Sequence, residues 1–326
     1  MNSRSNGLVN IYQVGSRRYR VRTSLCGNST MHSQKQPQQQ RDRSERKTLA
    51  VPRQLHKYII GSNGSMLAKL TDESQAKITV PQNKDNVEIE GLADQLAKAE
   101  DLISKVVSKN MRNIAYTHFI SLPISDIDIQ RKIGEFQREA RSSKSLCAAD
   151  CSSFVEPASL HVTIGMLRLL TPADVTSALA FLKTLQPGIH EILANQPLVV
   201  RVGGLEAMEA DRQAARIIYA KADDDGGRLQ RVCRFVREAF DNAGYIDEKR
   251  ELKIHITVIR AKEAKGAKDA AGAARERPFG IDATALLREF GQAAFGACRV
   301  GQMQLARRFR FTESGAYASE GFVALP

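Results

Sequence analysis

The chain has 326 residues, 42% hydrophobic and 26% charged, proportions that exclude a wholly disordered chain and a collagen-like repeat; the length accommodates about two domains. No apolar run reaches the roughly 18 residues of a membrane-crossing helix, so no membrane partner is expected, and five irregularly spaced cysteines offer neither a disulfide framework nor a CxxC zinc knuckle, which favours a reducing compartment. The net charge of +12 is unevenly placed: residues 1–47 carry +8, residues 48–109 are neutral and residues 110–326 carry +4.

Residues 1–47 are rich in Ser, Gln, Asn and Arg. Within them Ile11-Tyr12-Gln13-Val14 and Arg17 to Val21 fit a short hairpin about Gly15-Ser16. The rest reads as a solvated tail. Its Arg-rich, acid-poor composition also suits an organelle transit segment, and the cluster from Arg41 to Lys47 suits nuclear import or contact with a polyanion.

From residue 48 the patterning becomes regular. A strand through Leu49 and Val51 is followed by a helical stretch placing Leu55, Tyr58 and Ile59 inward, then by Gly61-Ser62-Asn63-Gly64 and a second helix over 65–74. Alternation in Lys77-Ile78-Thr79-Val80 and Asn86-Val87-Glu88-Ile89-Glu90 marks two strands. Apolar residues at Leu92, Leu96, Ala99, Ile103 and Val106 then mark an amphipathic helix. This β-α-α-β-β-α order, with a GxxG loop between the first two helices, resembles a KH domain spanning residues 48–109. The resemblance implies that Gly61 and Gly64 let the backbone approach nucleic-acid phosphates, with Ser62 and Asn63 at the loop tip. Lys or Arg often stands between these glycines in nucleic-acid-binding KH loops. Here Lys57 and Lys69 are the nearest cations, so weak, salt-sensitive single-strand binding that leans on the tail is expected.

Residues 110–326 carry the chemistry. Two of the six histidines sit in matching surroundings, Leu160-His161-Val162-Thr163-Ile164 and Ile254-His255-Ile256-Thr257-Val258. Strict alternation puts His161 and Thr163 on one strand face, His255 and Thr257 on another, and the aliphatic residues opposite. A solvated surface pair explains one such motif but not two, and neither HxH nor HExxH spacing is present for zinc. The flanking pattern also repeats. A strand over 116–123, a helix over 126–143, the His161 strand and a helix over 172–185 are followed by strands over 198–202 and 215–222, a helix over 228–242 and the His255 strand. His190, beyond Pro187-Gly188, reads as a loop residue; 261–278 reads as a solvated insertion, 281–290 as a helix, and 298–305 with 317–325 as closing strands.

Paired HxT strands resemble the 2H phosphoesterases. The expected fold is therefore α+β: a small KH domain followed by a two-lobed 2H domain with a central cleft between antiparallel sheets. That resemblance implies that His161 and His255 act as acid and base on an RNA-derived phosphodiester, with Thr163 and Thr257 holding its non-bridging oxygens and with no metal or dissociable cofactor. The joined KH and 2H modules further resemble RNA-binding subunits of helicase-containing coactivator complexes. This implies RNA or single-stranded nucleic acid and complex subunits as partners, nuclear localisation with the cytoplasm as the alternative, and work in transcriptional coactivation and alkylation repair. A non-catalytic adaptor, whose cleft only binds nucleotide or RNA ends, stays open beside the enzyme.

Overall fold

The computed structural model describes residues 9–14, 17–22, 44–142, 154–261 and 281–326. In the tail, β1 (Val9–Val14) and β2 (Arg17–Arg22) pair antiparallel, as the hairpin reading expects. The chain divides into two compact units, residues 1–115 with 170–174, and residues 116–169 with 175–326.

In the first unit, β3 (Glu45–Ala50), β5 (Asn86–Gly91) and β4 (Lys77–Thr79) form an antiparallel sheet with β5 central. Helices α1 (Arg53–Ile60), α2 (Ser65–Ser74) and α3 (Ala93–Asn110) supply the rest of the core. Val87 and Ile89 alternate inward from β5 and meet Leu55, Ile59, Leu70, Leu96, Ala99 and Ile103, all buried. The α3 entrance is fixed by the Leu92 amide, which donates to the Gln95 side chain at 2.8 Å. Strand β3 begins at Glu45, so Arg46 and Lys47 belong to the sheet and not to a free basic cluster. Arg46 pairs with Glu90 at 3.2 Å and Lys47 with Glu100 at 2.5 Å.

The second unit is built on an eight-stranded antiparallel sheet of order β11-β8-β9-β10-β7-β6-β12-β13. Its strands are β6 (His118–Pro123), β7 (His161–Leu167), β8 (Leu198–Ala207), β9 (Ile217–Asp223), β10 (Ile256–Arg260), β11 (Ala294–Val300), β12 (Gln302–Phe311) and β13 (Tyr317–Ala324). Reading outward from the β10/β7 junction, the two four-stranded halves mirror one another, and helices α4 (Ile127–Ser142) and α7 (Arg228–Asn242) occupy equivalent places before the two motif strands. Each is amphipathic: α7 buries Leu229, Val232, Cys233, Val236 and Phe240 at helical spacing, and α4 buries Ile129, Ile133, Phe136 and Ala140. Strands β10 and β7 pair through one residue pair, Ile256 with Val162, which joins the two halves in one curled antiparallel sheet, and a bridge between Phe154 and Ile259 adds a second backbone link between them.

Sheet curvature follows from the connection after β11. Residues 298–305 read as one strand in sequence, yet Gly301 divides them between β11 and β12, which lie six places apart in the sheet. Six steps of about 4.8 Å make roughly 29 Å in a flat sheet, whereas one intervening residue spans at most about 7 Å. The sheet therefore curls until its far strands approach.

A second departure from sequence expectation is α6 (Gln186–Ile192), which follows α5 (Pro172–Thr184) where Pro187-Gly188 suggested a loop. Proline is tolerated in a first helical turn. A Cβ on Gly188 would stand 2.8 Å from the Phe235 ring, so the glycine permits close approach of α6 to α7. Helix α8 (Thr284–Phe290) falls within the expected stretch; the insertion over 261–278 lies, beyond Ala261, outside the described residues.

Candidate active site and nucleic-acid interface

In β7, Val162 and Ile164 are buried while His161 and Thr163 stay partly accessible, and in β10 Ile256 and Val258 are buried beside partly accessible His255 and Thr257. The pairing of Ile256 with Val162 sets the rest of the geometry. In antiparallel register, His161 stands opposite Thr257, and His255 opposite Thr163. Directly opposed side chains share a face with Cβ atoms about 4.5–5.5 Å apart. The four residues thus form a crossed quartet in which each imidazole faces the threonine of the other motif.

The imidazoles are held alike. His161 Nδ1 lies 2.8 Å from the Ser159 carbonyl and His255 Nδ1 lies 2.7 Å from the Lys253 carbonyl. A carbonyl only accepts, so each Nδ1 carries the proton and each Nε2 is left to exchange one. Burial pushes His161 down to about 4, against the support of the Ser159 carbonyl, with the Arg260 and His255 charges adding to the depression. Burial likewise lowers His255, with Lys253 and Arg260 lowering it further. Aromatic walls flank both rings. Phe119 and Tyr317 lie 4.9 and 5.2 Å from His161, and Tyr219 meets His255 edge-on at 5.5 Å. The Tyr219 hydroxyl is fixed by donating to Glu206 at 2.6 Å.

Arg260 is absent from the sequence-derived set, and strict alternation explains why: it would fall on the core face with Ile256 and Val258. The β9/β10 ladder slips between Thr257 and Ile259, so Val258 and Ile259 are both buried and Arg260 turns outward, its charge acting on both imidazoles. Two consecutive buried apolar residues are the signature of such a bulge. The other half repeats it after Thr163, where Ile164 is the extra residue, and Met166 takes the place equivalent to Arg260. One half of the site is cationic where the other is apolar.

The loop between α1 and α2 is fixed by backbone conformation. Gly61 has φ 72 and ψ −179, a region open essentially to glycine alone, and an added Cβ would stand 2.7 Å from Met66 Cβ. Gly64 has φ 78 and open space around its Cβ position. Ser62 and Asn63 are exposed, and no side chain caps the first turn of α2. From Gly64 a groove of about 750 Å³ runs past Leu67 and Thr71 to Ile78. Lys57 lies over the Tyr58 ring at 4.9 Å, and Lys69 is partly engaged by Glu73 at 3.7 Å. Among the described residues no group of three or more His, Cys, Asp or Glu is placed to hold a metal ion, and no helix is long and apolar enough to cross a membrane.

A crossed His/Thr quartet on a pseudo-symmetric curled sheet, together with a GxxG module, defines a KH domain joined to a 2H-type phosphoesterase fold. The chain belongs to the family of the AKAP7 2′5′ RNA ligase-like domain, which matches residues 116–325, and the KH domain model matches residues 46–105. The particular resemblance is to mouse activating signal cointegrator 1 complex subunit 1, 28% identical over 296 residues, which covers 85% of this chain and 83% of that protein. Human A-kinase anchor protein 7 isoform gamma is 22% identical over 60% of this chain and 51% of its own length. The structure of E. coli LigT aligns at 14% identity with a TM-score of 0.40, covering 64% of this chain and 97% of LigT.

Proposed function

We propose that the chain is an RNA-binding 2H-type phosphodiesterase subunit that cleaves an RNA-derived phosphodiester by acid-base chemistry without a metal. The observation that supports this reading is the Val162–Ile256 register, which in antiparallel pairing puts each imidazole opposite the threonine of the other motif on one face of the sheet. His161, held at about 4, is neutral at pH 7 and serves as the base through Nε2. His255 serves as the acid, its protonated form favoured once an anionic phosphate lies beside it. With a 2′,3′-cyclic phosphate, water adds to phosphorus as its proton passes to His161, and the bond to one ribose oxygen breaks as that oxygen takes the His255 proton. Each transfer contributes about 10²–10⁴-fold to such reactions. Thr163 and Thr257 donate to the non-bridging oxygens, and Arg260 offsets charge growing there.

The KH module presents the strand. Gly61, Ser62, Asn63 and Gly64 let backbone amides approach phosphate, Lys57 and Lys69 add charge, and the adjoining groove takes bases. Similarity to activating signal cointegrator 1 complex subunit 1 supports work as the subunit of a complex; the reading extends this to action in the nucleus with helicase-containing partners, in transcriptional coactivation and alkylation repair.

The test is a hydrolysis panel of 2′,3′-cyclic nucleotides and 2′,5′-oligoadenylates with the full chain and with His161→Ala/His255→Ala. Turnover by the parent that the double variant loses is the expected result. No turnover of any substrate, together with complex-dependent function that survives the double substitution, would identify a non-catalytic adaptor.

A further inference from the structure

The second unit exposes an aromatic and basic rib that the acid-base scheme does not use. Arg307-Arg308-Phe309-Arg310-Phe311 ends β12, and Phe322 lies across the hairpin on β13. Phe309 is 71% exposed, and Phe311 and Phe322 are each 52% exposed.

The backbone is shaped to produce this exposure. Between the pairs Ala306–Ser319 and Phe311–Tyr317, β12 advances five residues (306 to 311) while β13 advances two (319 to 317). The excess bulges outward, and Phe309 sits at φ 61, a left-handed conformation that a bulky side chain rarely takes. Bulges of this kind re-aim side chains beside functional sites.

The rib is continuous with the quartet. Phe311 contacts Tyr317 at 4.7 Å, and Tyr317 contacts His161 at 5.2 Å. Phe322 is opposite Gln304, Gln304 opposite Ser121, and Ser121 opposite Thr163, so Phe322 shares the face that carries the quartet. Its cations are available. Arg307 shares Glu320 at 3.8 Å, but among the described residues no carboxylate pairs with Arg308 or Arg310, and Arg308 is held by the Tyr116 carbonyl and stacked on Phe309 at 4.4 Å. Rings alternating with unneutralised arginines match a single strand, whose bases stack while its phosphates take the charge.

We propose that this rib is a stacking platform for single-stranded RNA running past the scissile phosphate, so that the ligand of the second unit is an oligonucleotide and not a lone nucleotide. The inference rests on the proposed function for the phosphate at the quartet and deepens it by naming the substrate class; a binding assay tests it without requiring turnover.

The probe is a fluorescein-labelled 2′-O-methyl 12-mer, which lacks the hydroxyl needed for self-cleavage, titrated by anisotropy. The protein is the full chain carrying Ser62→Asp/Asn63→Asp to weaken the KH contribution. Phe309→Ala/Phe311→Ala is expected to reduce affinity by about tenfold per stacked base, and Phe311→Trp to retain it where Phe311→Leu does not. Arg308→Gln/Arg310→Gln is expected to lower the slope of log affinity against log salt by about 0.7 per phosphate contact. Affinity for 2′,3′-cyclic AMP, measured by calorimetry, is expected to be unchanged by the phenylalanine substitutions. Twelve-mer binding within twofold of the parent in Phe309→Ala/Phe311→Ala overturns the platform. So does unchanged 12-mer binding accompanied by loss of a co-purifying protein subunit, which would make the rib a protein-docking surface. A parent inactive on every phosphodiester, whose 12-mer affinity still falls in the phenylalanine variants, supports the platform and removes only the catalytic reading.

Discussion

The depressed basicity of His161 ties the chemistry to folding stability. The imidazole titrates near 6.5 in the unfolded chain and is held down to about 4 in the fold, chiefly by burial. Above pH 6.5 neither state binds this proton and nothing is lost. Between 6.5 and 4 the unfolded chain binds it and the native state does not, so stability falls as pH falls. Below 4 both are protonated and the deficit levels off at about 3 kcal/mol. His161→Asn isolates this contribution, because the amide nitrogen can replace Nδ1 as donor to the Ser159 carbonyl while losing the titration. Urea unfolding of the full chain at pH 7.5 and pH 4, followed by circular dichroism and tyrosine fluorescence, gives the comparison. Carboxylates titrate equally in both proteins and cancel. The parent is expected to lose about 3 kcal/mol more than His161→Asn on acidification. An identical loss in the two proteins would show that His161 is not held neutral by its surroundings, and its assignment as the base would fall with that result.

Gly61→Ala and Gly64→Ala are expected to differ sharply. The first combines a glycine-only conformation with a Cβ 2.7 Å from Met66 and costs roughly 2–6 kcal/mol, enough to unfold the small unit, whereas the second meets open space and costs about 1–2 kcal/mol; hydrogen exchange across α1 and α2 reports the difference. Arg260→Gln removes a cation that lowers both imidazoles, so the His161 and His255 resonances, followed by NMR against pH, are expected to titrate at higher pH than in the parent. Gly188→Ala forces a Cβ toward the Phe235 ring at 2.8 Å and is expected to destabilise the larger unit by about 1–3 kcal/mol in thermal unfolding, a loss relieved when Phe235→Leu is added.

Much of this protein is written in local patterns. Alternation about His161 and His255 determines which side chains leave the core, because a strand's side chains have period two whatever surrounds it. Helical spacing in α3, α4 and α7 identifies their buried stripes, and the GxxG loop between two helices identifies the small module. These features need only neighbours along the chain. What pairs with what is a different kind of information. Residues 162 and 256 are joined by the closing of a curled sheet, and that single contact aligns His161 with Thr257 and His255 with Thr163. Gly301 separates two strands because their partners lie in opposite halves, and Gly188 sits in a helix because Phe235 approaches it there. Arg260 reaches the site only through a ladder slip at Val258, which reverses the face that its position in sequence assigns. Local periodicity assigns a side chain's face, but register and bulges depend on the opposing strand, so the two His-x-Thr motifs were legible in the sequence, whereas the part of Arg260 and the arrangement of all five residues were decided by the tertiary structure.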